Sequence, residues 1–159
     1  MSEQPQLEFA IDRIYVKDMS LEIPNAPQIF LERDPPQVDV QIHNEASALS
    51  EGVYQVVLTA TVTAKVKDKT MFLIEAAQAG IFQVRNISKD ELEMVLGIAC
   101  PNILLPYLRE AVSNTVIRAS FPPVVLGPMN FEAIYVQRKQ QEAAQEAAQA
   151  AAAAPASSH

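Results

Sequence analysis

Few residues in this chain have the types and spacing that chemistry needs. There is one cysteine, Cys100, and there are two histidines, His43 and His159. A nucleophile needs a general base within hydrogen-bond reach. Cys100 lies before Pro101 in an apolar run with no histidine near it in sequence, so it reads as an inert, buried thiol. His43 falls on the polar phase of a strand pattern and has no evident partner, which is the pattern of an ordinary surface group. The four glycines, at 52, 80, 97 and 127, are too sparse to cradle a phosphate. No Cys/His cluster has metal-ligand spacing, and the nineteen acids form no local catalytic pair. The expectation is a protein that is not an enzyme, with no metal and no cofactor.

The positions around these groups must therefore serve packing or binding. At 159 residues the chain is long enough for one domain with its own core. Hydrophobic residues make up 49% and charged residues only 19%, an apolar excess that is either hidden by self-association or exposed for a purpose. One cysteine permits no internal disulfide and suits a reducing cytoplasm. The N-terminal MSEQPQLEFA shows no signal-peptide pattern, and no run of about 20 apolar residues suggests a membrane span. The first 51 residues carry ten acids and three bases, which accounts for the whole net charge of −7. Such a surface disfavours nucleic acid and favours a basic protein partner.

Residues 53–66 alternate apolar and polar with period two and predict a strand. A hairpin turn at 67–69 and a second strand over 71–84 follow, then a third strand at 38–43 and a fourth over 9–23. The fourth has a phase slip after Ile11 that suggests a bulge. The segment PNAPQIFLERDPPQ holds four prolines and reads as a long crossover connection. Ser88 and Glu91 form a capping box that opens a short helix over 89–96. A helix over 100–119 carries Leu104, Leu108, Ala111, Val112, Thr115 and Ala119 as one stripe, widened by Ile103, Tyr107, Val116 and Ile117. A helix apolar on so much of its surface needs cover on both sides, its own sheet on one and a second protomer on the other. Pro106 should bend it or lie in its first turns. The last helix starts near Asn130, with Phe131, Ile134 and Tyr135 as its apolar face. Residues 1–139 read as the folded domain, and 140–159 as an alanine- and glutamine-rich extension ending in a disordered tail.

The blocks DRIYVKDMSLEIPNAPQIF, VYQVVLTATVTA, TMFLIEAAQAGIF, CPNILLPYLRE and SFPPVVLGPMNFEA occur in this order and span roughly residues 9–138. Together they closely resemble the SecB family of bacterial export chaperones. The resemblance implies an α+β protomer: a four-stranded antiparallel sheet with a crossover connection, packed on two C-terminal helices. It implies a dimer-of-dimers homotetramer in the cytoplasm. It implies an ATP-independent holdase that binds unfolded secretory preproteins in apolar grooves and delivers them to the SecA ATPase, without inserting into the membrane.

The family's groove carries over to Pro27, Ile29, Phe30, Val40, Ile42, Leu126, Met129, Phe131 and Tyr135. Phe30, in a proline-flanked loop, is the strongest of these; Val40, Phe131 and Tyr135 serve equally well as core. The family's SecA-docking patch carries over to Asp18, Glu22, Leu73 and Glu75. Leu73 and Glu75 share the strand phase opposite Phe72 and Ile74. Two departures stand out. The chain has no tryptophan, where the family often places one in the crossover, and its tail is alanine-rich where the family's is acidic. Two other readings remain open: a SecB-like chaperone of a toxin–antitoxin pair, and a carrier of small apolar ligands.

Overall fold

The computed structural model describes residues 3–154. Four antiparallel strands form one sheet: β1 (Glu8–Glu22), β2 (Gln37–Ser50), β3 (Val53–Val66) and β4 (Lys69–Arg85), in the order β1-β4-β3-β2. β3 and β4 lie at the centre, which fits their clean alternation. Lys67 and Asp68 both take positive φ, at 49° and 65°, so their hairpin closes through a two-residue turn whose twist suits the flanking strands. β1 slips register between Ile11 and Arg13, at the expected bulge, and again between Val16 and Asp18. β2 runs to Ser50, well beyond the expected end at His43.

The crossover carries the chain from one edge of the sheet to the other. A single 3-10 turn, Gln28–Leu31, buries Ile29 and leaves Phe30 outside. It is pinned at both ends to the β3–β4 hairpin. Lys67 pairs with Asp34 at 3.1 Å and Glu32 at 3.8 Å, Lys69 reaches Glu32 at 3.9 Å, and the Asn25 side-chain amide donates to the carbonyl of Thr70.

Three helices follow: α1 (Lys89–Met94), α2 (Cys100–Arg118) and α3 (Phe131–Ala153). The Ser88/Glu91 capping box opens α1 as the sequence predicts. The short first helix does not end near Leu96; a π-helical turn, Val95–Ala99, joins it directly to α2. Proline supplies the reason. Pro101 has no N–H to give the carbonyl of Gly97, and its ring crowds that position, so a wider turn accommodates it. The join makes Lys89–Arg118 one helical run of 30 residues, apolar enough by composition to cross a bilayer, whereas the sequence pattern suggested no such segment. A core helix meets the same criterion, and α2 is one.

Leu104, Leu108, Val112 and Val116 of α2 pack on Val56, Leu58, Val62, Phe72, Ile74 and Phe82 of β3 and β4, all fully buried. Gly80 permits the close approach: a Cβ there would lie 2.6 Å from the Phe82 ring and 3.2 Å from Leu104. Val116 joins this sheet-facing stripe instead of widening it. The opposite side of α2 is less apolar than expected. It exposes Tyr107 and Ile117 among Asn102, Glu110, Asn114 and Arg118.

α2 ends in a Schellman motif. Ser120 takes φ 67°, its N–H donates to the Ile117 carbonyl, and the Phe121 N–H donates to the Val116 carbonyl. An extended connector then leads to α3, whose first turn is capped by the Asn130 side chain accepting from the Ala133 N–H. α3 packs mainly on the π turn. It continues to Ala153, so the extension is helical, with every residue of 140–153 exposed. The expected disordered tail falls in part on residues 155–159, outside the described residues.

Candidate functional site

The strand register divides β2 and β4 between two surfaces. Residues facing α2 on β2 are Val38, Val40, Ile42 and Asn44, set opposite Ala64, Val62, Ala60 and Leu58. α2 does not reach far enough to cover them, so Val38 and Val40 are exposed and Ile42 half-buried. They form an apolar line that joins two clefts.

The larger cleft holds about 450 Å3 and is lined by the crossover, the start of β2, the β4 residues Met71 and Phe72, and the connector. Its centre is aromatic. The Phe30 ring stacks on Phe121, centroids 5.0 Å apart and planes 15° apart, and Phe121 tilts against Phe72 at 5.2 Å. The Schellman turn aims Phe121 here, because the residue after the αL position must fold back over the last helical turn. The smaller cleft, about 150 Å3, lies between β2, the π turn and α3, and is lined by Ile42, Asn44, Gly97, Phe131, Ile134 and Tyr135 with His43 and Arg138. Gly97 is required there: a Cβ would lie 2.9 Å from the Tyr135 ring. Lys139 fastens α3 to the α1–π run through Glu93 at 2.5 Å, and this ion pair lowers the Glu93 pKa and raises that of Lys139.

The nine candidate groove residues separate by exposure. Phe30 and Val40 are exposed, Ile42 and Tyr135 are half-buried along the apolar line or the smaller cleft, and Met129 is half-buried outside both clefts, in a separate depression with Ile98, Asn102 and Phe131. Ile29, Leu126 and Phe131 are core, at 2%, 4% and 2% exposure. They back the cleft walls, Leu126 through its carbonyl, which accepts from Arg109 Nε at 2.6 Å and anchors the connector. Pro27 is exposed at the start of the 3-10 turn. Sequence reasoning missed Phe121, Val38, Asn44 and Gly97. The pair Ser120–Phe121 before two prolines was a usable signal for a helix end that turns an aromatic inward.

The other face of the sheet is acidic. Glu22 stands directly opposite Leu73, Ser20 opposite Glu75 and Asp18 opposite Ala77, so the four candidate docking residues share one face of the β1–β4 edge. Their neighbours on β3 are Thr63, Thr61 and Thr59, and Asp39 and Glu45 of β2 face the same way. Leu73 is half-buried and Glu75 exposed. Among the described residues Asp18, Glu22 and Glu75 have no ion-pair partner. His43, which also borders the smaller cleft, is exposed and by register belongs to this face, opposite Thr59. Cys100 is fully buried in the core, and burial pushes its thiol up to about 12.

The family described as "Preprotein translocase subunit SecB" matches residues 2–142. The protein-export protein SecB of Nitrosospira multiformis is 63% identical over 139 residues, 87% of each chain. The chain belongs to the SecB family. Two further SecB export proteins are similar: that of Chromobacterium violaceum, 58% identical over 90% of this chain and 97% of its own, and that of Neisseria meningitidis, 56% identical over 91% and 99%. Among solved structures, the SecB-like chaperone of Mycobacterium tuberculosis in complex with a ChAD peptide from the HigA1 antitoxin has a TM-score of 0.64. It is 16% identical, covers 76% of this chain and 90% of its own, and so shares the fold. The 54–63% identities to export proteins favour a SecB export chaperone over the antitoxin and small-ligand readings.

Proposed function

We propose that this SecB-family chain works as a cytoplasmic, ATP-independent holdase. In this reading it binds unfolded preproteins along the apolar line of β2 and its two clefts, and hands them to SecA through the acidic face. The observation that carries the reading is the continuity of Val38, Val40 and Ile42 between the clefts, with Asp39 and His43 alternating toward the opposite face. A line of this kind suits an extended chain more than a compact small molecule, because each cleft takes a side chain and the strand between them takes the backbone. Residues 1–139 carry both surfaces in this reading, and 140–159 form an appendage.

Tetramer formation belongs to the same proposal. Tyr107 and Ile117 of α2, and Phe9, Ile11, Val16 and Leu21 on the α2-facing phase of β1, are exposed in a single chain. Apolar surface at this density fits burial between protomers. Several weak clefts on one assembly would then hold one client together through effective concentration. The test is refolding of a slow-folding precursor with the purified protein and no nucleotide, with light scattering on the same sample. Arrested folding at one assembly per client, with a particle of about four 17.4 kDa chains, is expected. Unchanged refolding overturns the holdase reading, and a monomer overturns the tetramer.

A further inference from the structure

The crossover that carries Phe30 has few ties to the rest of the chain. Pro24, Pro27, Pro35 and Pro36 have no N–H to give. Among the described residues, the backbone hydrogen bonds of 24–36 join residues 23–32 to one another, and none reaches the sheet. The crossover also has a cleft on each flank: the aromatic cleft, and a second of about 440 Å3 against its first residues and Lys69. Burial of Ile29 and the stack of Phe30 on Phe121 hold its middle. Its ends are held by side chains alone. Asn25 donates to the Thr70 carbonyl at 2.9 Å at the start. At the other end Glu32 is the shared member of the ion pairs: Oε2 lies 3.8 Å from Lys67 and Oε1 3.9 Å from Lys69. Its side chain is 25% exposed, against 66% and 63% for the lysines, so water screens it least. Glu32 lines both clefts, and its N–H donates to the Ile29 carbonyl, closing the turn that presents Phe30.

Building on the client-groove reading above, we propose that Glu32 is a positioning residue for client binding: gripped between Lys67 and Lys69, it sets the crossover so that the Phe30 ring stays on Phe121 and the aromatic cleft stays formed. Glu32 acts through Phe30, two residues away, and makes no contact with the client itself. The physical gain is preorganisation. A cleft whose wall is already in place binds without the cost of ordering that wall. A single exposed ion pair would be too weak to do this. Here one partly buried carboxylate is shared by two cations, and Lys67 also holds Asp34 at 3.1 Å, so the pairs form a network. The hairpin turn makes a firm anchor for it, because Lys67 and Asp68 are fixed in a two-residue turn between paired strands.

The experiment uses the full-length protein and an uncharged probe: a peptide of phenylalanine, serine and one tryptophan, blocked at both ends. The chain has no tryptophan, so the peptide's own emission anisotropy reports binding. Salt does not weaken apolar contact, so a loss of affinity for this peptide as salt rises reports charge pairs within the protein. The unmodified protein should lose about two- to fivefold in affinity from low to high salt, the range of two partly exposed ion pairs. Glu32→Gln keeps the shape and removes the charge, and should bind at the weaker level at both salts. In a Phe30→Ala background the salt effect should vanish, and Glu32→Gln should cost nothing further. Affinity of the unmodified protein that does not change with salt overturns the proposal and leaves the groove standing. So does a salt effect that persists in Glu32→Gln. A loss from Glu32→Gln that is undiminished in Phe30→Ala also overturns it, because Glu32 would then act independently of that ring. If the peptide binds the unmodified protein at neither salt, the groove reading fails and the positioning role fails with it.

Discussion

On β4, Phe72 and Ile74 face α2 and are buried, while Leu73 and Glu75 alternate with them on the opposite side. β2 repeats the division with Val38 and Val40 against Asp39 and Gln41. The two faces of one sheet therefore differ in every property a partner senses. One is aromatic and nearly uncharged along its centre, and the other is threonine-rich and acidic. Period-two geometry lets adjacent residues serve different surfaces without sharing a side chain. Mutations one residue apart should then separate two activities, and that separation is what experiments can break.

The largest expected effect is at Phe30. Its ring lies on Phe121 and is 46% exposed, so in the proposed reading it offers contact area to a client and adds little to the core. Phe30→Asp removes an aromatic surface and puts a charge in the cleft. The expected loss is about tenfold or more in affinity for an unfolded precursor, from roughly 1.5–3 kcal/mol per buried aromatic side chain. Assembly size and SecA affinity should not change. Should the assembly dissociate while client affinity holds, Phe30 is structural and the aromatic cleft is not a binding face.

The sequence makes the acidic face easier to read than the groove, for a physical reason. Alternation over residues 53–66 and 71–84 states which side chains share a face and places Leu73 with Glu75; Asp18 and Glu22 share one phase of β1, and the resemblance, not the pattern, singles the four out. The groove is made where alternation stops. Phe121 reaches it through a helix end, Phe30 through a 3-10 turn, and Tyr135 through a contact with Gly97 of the π turn. VLGIA is apolar throughout, so no periodicity distinguishes a π turn from an α-helix across five residues. The second half of β2, NEASALS, sets small residues against small or polar ones, and its alternation carries too little contrast to mark a strand. Ile29, Leu126 and Phe131 were legible as apolar, but which side of a cleft wall they take depends on packing that no local pattern encodes.

An intermediate effect is expected on the acidic face. Glu75 is exposed, stands opposite Ser20 and has Thr61 as its other neighbour, with no ion-pair partner among the described residues. Single exposed charges interact weakly and are screened by salt. Reversal is stronger than removal, because it replaces attraction with repulsion next to the half-buried Leu73. Glu75→Lys should weaken SecA binding several-fold at low salt, less at high salt, and leave precursor affinity unchanged. Calorimetric titration at two ionic strengths measures this. A variant that loses both activities, or neither, removes the distinction between the two faces.

The smallest effect should come from the C-terminal extension, whose described residues are all exposed. The hold on α3 ends early: Phe131 is buried, Tyr135 sits against Gly97, and Lys139 pairs with Glu93, among the described residues the last ion pair between this helix and the rest of the chain. Beyond it, among the described residues Glu142 pairs only with Arg138 and Lys139 of the same helix, and residues 140–153 are all exposed. Alanine and glutamine keep this stretch helical by propensity alone. It buries almost no area, and Glu142 and Glu146 are its only acids, so it has little to offer an apolar client or a basic partner. Deleting residues 146–159 should therefore leave assembly, client affinity and SecA affinity within about 0.5 kcal/mol of the full chain. A tenfold loss of SecA affinity at low salt, about 1.4 kcal/mol, would mean that the extension makes a third contact surface, and that the sheet's two faces do not account for all of the chain's recognition.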